Sequence, residues 1–158
     1  MAMQNSNNSF STISNITFGA EELKDTWWNV SNIDLPTITL SSPELSNRAG
    51  SAYKAAADTC SYTDLTVTFI MDKDWKTFDE VYNYFLDGLN VETGKFSHYK
   101  TFDLWTNMMN SDGEVVKKFW FYGCRLSDIS GLSVSPVDFD DTVITFSATF
   151  QVLYFTFE

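Results

Sequence analysis

Carboxylates are the most plentiful side chains in this sequence that could do chemistry. Asp72 with Asp74, and Asp140 with Asp141, have the composition of an acid–base couple or of a cation site. Both pairs lie at the ends of strand-like runs, where aspartate is ordinary turn chemistry. A structural role is therefore the stronger interpretation of both pairs.

The single histidine, His98, and the two cysteines, Cys60 and Cys124, complete the potential catalytic groups. A triad or a zinc site needs several such groups at defined spacing, which one histidine cannot supply. The cysteines are too few and too far apart for a metal motif, so we expect both to be reduced and structural. Phosphate loops and nucleophile elbows are absent. We expect no enzyme activity, no metal and no cofactor.

Tryptophan offers another kind of chemistry, because exposed aromatic rings stack on the apolar faces of sugars. Such a site would use Trp27, Trp28 and Trp120. Tryptophan is more often an anchor in a core or an interface. A carbohydrate-binding β-sandwich of a tail fibre therefore stays as an alternative function.

Composition predicts one mainly β domain, since the chain has 158 residues and 16% aromatic residues. Its 21 acidic and 10 basic residues give a net charge of −11. Tight nucleic-acid binding depends on clusters of Lys and Arg, which this sequence lacks. A negative surface would instead let DNA pass without binding it.

The N-terminus is rich in Asn and Ser. It predicts a flexible arm over 1–9 followed by a single domain over 10–158. No secretory signal is recognisable, and no run reaches the roughly 18 apolar residues of a membrane span. We expect assembly in the cytoplasm and no membrane partner.

Alternating runs predict strands over 10–18 and 64–71, and around the break at Pro36. A hairpin is predicted over 101–129, with Asp112-Gly113 at its turn. Phe119, Phe121 and Gly123 are expected on one face of its second strand, with Cys124 on the other. The stretch 41–58 lacks strand character and predicts a long loop, either mobile or committed to an interaction.

One amphipathic helix is predicted over about 77–90, with Thr77 and Glu80 as a capping box. Its apolar positions recur every three or four residues. We expect these to pack on the core: Phe78, Val81, Tyr82, Phe85, Leu86 and Leu89.

The last 17 residues, 142–158, alternate polar and apolar side chains. Phe146 and Phe150 lie on the apolar face of this run. A strand of this length would span about 50 Å, far more than a typical strand. Either something besides one domain's core covers it, or it bends midway.

Three segments in this order resemble the tail tube proteins of contractile-tailed bacteriophages, whose fold is shared with type VI secretion tube proteins. Asn29–Trp75 contains a Leu-Pro bend, a long excursion and a D-x-T-V-T-F return strand. The helix over Thr77–Asn90 follows. Phe121–Glu158 carries G-x-x-x-x-x-I-x-x-L-x-x-x-x-x-x-x-D before the terminal strand. Together they cover 99 of the 158 residues of the chain.

The resemblance implies a two-sheet β-sandwich or half-barrel with one flanking helix. Six copies would form a ring with an inter-subunit β-barrel around a lumen, and rings would stack into a tube. The excursion would contact the next ring, with these candidate residues: Pro43, Glu44, Arg48, Tyr53, Lys54 and Asp58. The barrel strand would present Thr145, Ser147, Thr149 and Gln151, with the lumenal face left open.

We therefore predict a structural tube subunit in the virion tail that conducts DNA during infection. A tube initiator or terminator of the same fold is the alternative. The expected partners are other copies of the chain, the tail sheath protein, baseplate and tail terminator proteins, and DNA that passes through the lumen without specific binding.

Overall fold

The structure is a computed structural model that describes residues 13–46, 50, 52–54, 56–98, 100–132 and 143–158. The predicted arm over 1–9, Arg48 and the Asp140/Asp141 pair lie outside the described residues. The elements are β1 (Asn15–Ala20), β2 (Trp27–Asp34), β3 (Ile38–Ser41), β4 (Glu44–Ser46), β5 (Ala52–Lys54), β6 (Thr59–Tyr62), β7 (Leu65–Ile70), α1 (Lys76–Phe85), β8 (Leu89–Asn90), β9 (Lys95–Phe96), β10 (Phe102–Met109), β11 (Val115–Ile129), β12 (Thr145–Gln151) and β13 (Tyr154–Phe157).

The main sheet has seven strands in the order β10-β1-β2-β7-β12-β11-β13. An additional pairing of β10 with β11 closes six of these strands into a ring, and β13 continues the sheet beyond the ring by pairing with β11. All of these pairings are antiparallel. Closure removes the free edges that an open sheet would present. The mainly β prediction with one flanking helix is confirmed.

The core fills the inside of this closed sheet. Phe69 is fully buried, and Phe18 meets it edge to face at 5.6 Å between ring centroids. Alternation along β7 and β12 places every second residue inside. The inward residues of these two strands are Leu65, Val67, Phe69, Phe146, Ala148 and Phe150.

Helix α1 packs against the same inner face. Val81 and Phe85 are buried, and the Phe85 ring lies 4.8 Å from that of Phe150. Phe78 meets Phe146 edge to face at 5.2 Å. Edge-to-face aromatic pairs of this kind add to the free energy gained from burial. The helix therefore completes the core that the strands leave open.

The predicted helix was too long, because the chain leaves the helix at Phe85 and turns through Gly88, whose φ is 85°. Leu89 consequently lies in strand β8. The capping box was also wrong: the N-cap is Trp75, and the backbone N–H of Thr77 donates to Asp72 Oδ1 at 3.0 Å. Glu80 instead accepts a hydrogen bond from Trp28 Nε1 at 3.0 Å.

The prediction of a loop without strands over 41–58 was wrong. β3 pairs with β6 from Ile38↔Tyr62 to Ser41↔Thr59, and β4 pairs with β5 further along the same excursion. The side chains of β3 and β4 with a resolved burial class are exposed. The segment therefore has no inward and outward sides, and the alternation that would predict strands is missing.

The terminal run bends midway, as one of the two alternatives expected. It leaves strand geometry at Val152–Leu153, so β12 pairs with β7 and β11 while β13 pairs with β11 alone. The longest strand is β11, with 15 residues. Gly123 of β11 has a φ of 63°, and the register shifts beside it, which turns Cys124 inward. The prediction that Cys124 lies on the face opposite Phe121 was therefore wrong, since both side chains are buried.

The strand predicted over 10–18 is confirmed in part, because β1 begins at Asn15 and runs to Ala20. β7 occupies 65–70, and β10 and β11 form a hairpin with Gly113 at φ 79° in its turn. Pro36 lies between β2 and β3, where no ladder needs its missing N–H.

Candidate functional site

The first candidate surface is the hairpin formed by residues 38–62, here called the projecting hairpin. At its base the N–H of Thr37 donates to Thr63 Oγ1 at 2.7 Å, and the Tyr62 ring contacts Phe155 at 5.5 Å between centroids. Beyond that base, Leu40 is 65% exposed. Exposed apolar side chains on an extended hairpin favour contact with another protein.

Five of the six residues predicted for ring stacking fall on described parts of this hairpin, and Arg48 lies outside them. Glu44 begins β4, and Pro43 and Asp58 lie between its two ladders. All three side chains are exposed. Tyr53 and Lys54 belong to β5 by backbone, and their side chains lie outside the described part. Whether these residues contact another ring stays a prediction.

The second candidate surface is the outward face of β2, β7 and β12, here called the polar face. Ser147 pairs with Thr68, and Thr149 pairs with Thr66. β2 extends both rows, because Asn32 pairs with Thr68 and Asp34 pairs with Thr66. Short hydroxyl, amide and carboxylate side chains are therefore neighbours across the three strands. The polar face comprises Asn32, Asp34, Thr66, Thr68, Ser147 and Thr149. It contains no basic residue.

Thr145 and Gln151 continue the outward side of β12 beyond the polar face and are exposed. The four predicted barrel-strand residues thus lie on one side of one strand. The sequence reasoning missed their partners on β2 and β7, although the Thr66/Thr68 alternation carried the signal.

The third candidate surface is the free edge of β13. One edge of this strand pairs with β11, and the other pairs with no strand among the described residues. Tyr154 is exposed and stacks on Tyr122 at 4.8 Å, and Phe157 is 61% exposed with Lys117 Nζ 4.4 Å from its ring centroid. Leu153 at the bend is 68% exposed. Unpaired backbone beside apolar side chains is a surface on which another strand can pair.

The potential catalytic groups do not come together. His98 lies on the surface, with Nε2 3.8 Å from Asp87 Oδ2, and Lys100 Nζ is 3.4 Å from the same oxygen. Within the described ranges, no three His, Cys, Asp or Glu residues are placed to hold a metal ion. No helix in the described part is long and apolar enough to cross a membrane.

Both cysteines are free thiols. Cys124 is buried, and this burial, followed by the nearby Asp103 carboxylate, raises the pKa of its thiol to about 12. Cys60 lies exposed on the projecting hairpin. A packing role therefore suits Cys124 alone.

The tryptophans proposed for sugar binding are separated. Trp28 is buried in the core with its indole N–H bonded to Glu80, so it cannot face a ligand. Trp27, the residue before it in β2, points outward and is exposed. Trp120 lies on the outer side of β11, half-buried.

Comparison with known proteins finds similarity to components of contractile tails. No protein-family model matches the chain. Over 103 residues, the chain is 30% identical to the tail tube terminator protein of Enterobacteria phage T4. The match spans 63% of this chain and 58% of that protein.

Solved structures agree over nearly the whole chain. The sheath/tube terminator structure of the extracellular contractile injection system PVC matches with a TM-score of 0.67 at 10% identity, covering 95% of this chain and 97% of that one. This chain has the contractile tail tube fold. Hcp1 from Flavobacterium johnsoniae matches with a TM-score of 0.56 at 7% identity, covering 91% of this chain and 94% of that one.

The fold that the sequence resemblance implied is thereby confirmed. In this tail tube fold, the projecting hairpin, the polar face and the β13 edge are three separate surfaces, none of which is needed to bury the core.

Proposed function

We propose that the chain is the terminator of a contractile tail tube, a ring of copies that closes the end of the tube. The observation that carries this proposal is the sequence shared with the phage T4 tail tube terminator. The likeness to the sheath/tube terminator structure supports the same choice. The terminator, kept as the alternative in the sequence analysis, thus has more support than the repeating subunit.

Six copies would form the ring through lateral contacts at the β13 edge. A neighbour placed there would pair the free backbone groups of β13 and cover Leu153 and Phe157, which are exposed in the single chain. Closed rotational symmetry satisfies such an edge in every copy at once. In the inter-subunit barrel that the resemblance implies, this edge is the best-supported contact between neighbouring subunits.

The polar face would line the lumen of this ring. Its side chains are small and hydrogen-bonding, and its one charge is Asp34. Without Lys or Arg it offers DNA phosphates no counter-charge, so DNA would pass without binding. The net charge of −11 acts in the same direction.

The projecting hairpin would contact the last ring of the tube. Of the stacking candidates named from the sequence, Pro43, Glu44 and Asp58 are exposed on this hairpin. The tube protein, the sheath, and baseplate components assembled with them would be the partners. The chain would belong to the virion tail, assemble in the host cytoplasm and have no enzymatic role.

A repeating tube subunit is the second candidate, because the same fold matches Hcp1 as well as a terminator. The two candidates differ in copy number and position. Quantitative mass spectrometry of purified virions should find one ring of this chain per tail, and immunogold labelling should mark one end of the tube. Labelling along the whole tube would overturn the terminator proposal.

The ring itself is tested by negative-stain microscopy of the purified chain, alone and with the tube protein. Rings should form, and Phe157→Glu at the β13 edge should abolish them while leaving the chain folded. Val91→Glu, at an exposed position in the turn between β8 and β9, is the matched control and should leave rings intact. Monomers under every condition, or rings unaffected by Phe157→Glu, would contradict this arrangement.

A further inference from the structure

Three tryptophans line up across the outer side of the sheet at one level of the strand register. Gly19 of β1 pairs with Trp27 of β2 on one side and with Trp105 of β10 on the other, and Trp105 pairs with Trp120 of β11. Directly paired residues share a face of the sheet. Because Phe18 points into the core, the row through its neighbour Gly19 faces outward.

Glycine in the middle of this row makes room for an indole. A Cβ atom added at Gly19 would lie 2.5 Å from Cζ2 of Trp105. The Trp105 ring therefore lies directly over the backbone of β1, and no larger residue fits beneath it without moving the ring. The indole of Trp105 is therefore packed against the backbone of Gly19.

A shallow groove of about 350 Å³ lies beside Trp105 and Trp120. Lys118 Nζ is 4.2 Å from the centroid of the Trp120 ring and 5.8 Å from that of Trp105. Cation–π contacts of this kind hold the ammonium group over the rings and leave its other side open. Lys24 and Glu21 stand at the rim, and Asn107 completes the lining.

Neither lysine has a carboxylate partner in the described part of the chain, where the ion pairs found involve other residues. Glu21, the one acidic residue of the lining, pairs with neither of them. The carboxamide oxygen of Asn107 is buried and lacks a donor there as well. No indole N–H of Trp105 or Trp120 donates to a protein acceptor in the same described ranges, unlike that of Trp28.

We propose that this groove, formed by Lys24, Trp105, Asn107, Lys118 and Trp120, docks an acidic segment of another protein. Two unpaired ammonium groups beside aromatic rings complement a segment that alternates carboxylate and apolar side chains. The rest of the chain is strongly acidic, so the groove is a local exception to its charge. A neutral sugar would use the rings but would leave both ammonium groups without a counter-charge.

The test measures, by isothermal titration calorimetry, the affinity of the intact chain for a decapeptide that alternates Glu with Leu. A matched peptide that alternates Gln with Leu should bind at least tenfold more weakly. Raising the salt concentration from about 50 to about 300 mM should weaken binding of the Glu peptide, since exposed charges are screened over a few ångströms at the higher salt concentration. Equal binding of the two peptides would overturn the proposal.

The double variant Lys24→Gln/Lys118→Gln should lower the affinity for the Glu peptide at least tenfold. Lys73→Gln/Lys95→Gln changes the same charge at exposed positions outside the groove and is the matched control. Near-UV circular dichroism checks that the tryptophans keep their surroundings. Unchanged binding by the groove variant, or a neutral oligosaccharide that displaces the peptide, would refute acidic docking. The test does not depend on ring formation, so it stands apart from the terminator proposal.

Discussion

The closed sheet and the projecting hairpin are built from the same antiparallel pairing, yet they differ in what surrounds them. Along β7 and β12 of the closed sheet every second side chain is buried, as Phe69 and Phe150 are. In the projecting hairpin Ile38 and Leu40 stay exposed although they lie in a regular ladder. Hydrogen bonds alone contribute little net stability, whereas burial contributes most of it. The difference indicates that the closed sheet supplies most of the stability of the fold. The hairpin leaves apolar side chains exposed, as a surface for binding another protein would.

The largest effect on the free energy of unfolding is expected from Phe150→Ala. Phe150 is fully buried and touches Phe18 and Phe85. Its truncation should cost about 3–5 kcal/mol, from lost burial and the cavity left behind. Chemical denaturation monitored by circular dichroism measures this loss.

The matched change in the hairpin is Leu40→Ala. Because Leu40 is mostly exposed, it should change the free energy of unfolding by no more than about 0.5 kcal/mol. Comparable losses for the two variants would mean that the hairpin is part of the folding unit, and the contrast between the regions would fail.

An intermediate effect is expected at the bend of the closed sheet. A Cβ at Gly123 would lie 3.0 Å from Cβ of Leu153, and the φ of 63° disfavours any other residue. Gly123→Ala should therefore cost about 2–4 kcal/mol, from backbone strain and overpacking together. Thermal unfolding of the variant gives the measurement.

Gly113 provides the control for that position. It also has a positive φ, of 79°, but nothing lies within 4 Å of an added Cβ. Gly113→Ala should cost about 1 kcal/mol, from strain alone. A loss as large as that of Gly123→Ala would show that the contact with Leu153 contributes nothing.

The closed sheet was largely predictable from sequence, and the hairpin was not, for one physical reason. The alternation of Leu65, Val67 and Phe69 exists because one side of β7 must be apolar, so burial leaves a period of two in the sequence. The strands around Leu40 bury neither side. Their pairing depends on local hydrogen bonds, which leave no such pattern.

The groove on the outer side was beyond sequence reasoning for a different reason. Trp105 and Trp120 become neighbours through the register of β10 and β11, and Lys24 reaches the same groove from a distant part of the chain. Register depends on bulges such as the one at Gly123, which no local pattern specifies. The same shift turned Cys124 inward. Trp105 and Trp120 were assigned correctly to the two strands of the hairpin, but their neighbours across the sheet could not be known from the sequence.

The two thiols give a smaller test of the same contrast. At about pH 8, iodoacetamide should modify Cys60 on the hairpin quickly and leave Cys124 unmodified, because a buried thiol with a raised pKa carries little thiolate. Mass spectrometry of timed samples measures this, and a Cys60→Ser variant isolates Cys124. Equal rates for both thiols would contradict the burial of Cys124.

The raised pKa of Cys124 also predicts how the free energy of unfolding changes with pH. Between about 9, its ordinary value, and about 12, the folded chain keeps the thiol proton that the unfolded chain has lost. Unfolding then releases a proton, so the free energy of unfolding should fall as the pH rises through this window. Below about pH 9 the contribution is fully present. Denaturation at stepped pH, compared with Cys124→Ala, checks the sign, since the variant should lose less stability across the window.

The smallest effect on unfolding is expected from removing the outer part of the hairpin. Replacing residues 42–58 with Asn-Gly would join Ser41 to Thr59, which already form a directly opposed pair, through a two-residue turn that suits antiparallel strands. The free energy of unfolding should stay within about 0.5 kcal/mol, because no described residue of that segment is buried.

The same replacement should nevertheless abolish attachment to the tube, since it removes all of the stacking candidates. Co-sedimentation with assembled tubes measures attachment, and the β13 edge stays intact in the variant as an internal control for ring formation. If the shortened chain still sedimented with tubes, stacking would have to come from another surface. If it unfolded readily, the hairpin would be supporting the closed sheet after all. The expected result is a shortened chain that stays folded and forms rings but no longer binds the tube. That result would mean that the closed sheet stabilises the fold and that the hairpin, built from the same antiparallel pairing, binds the tube.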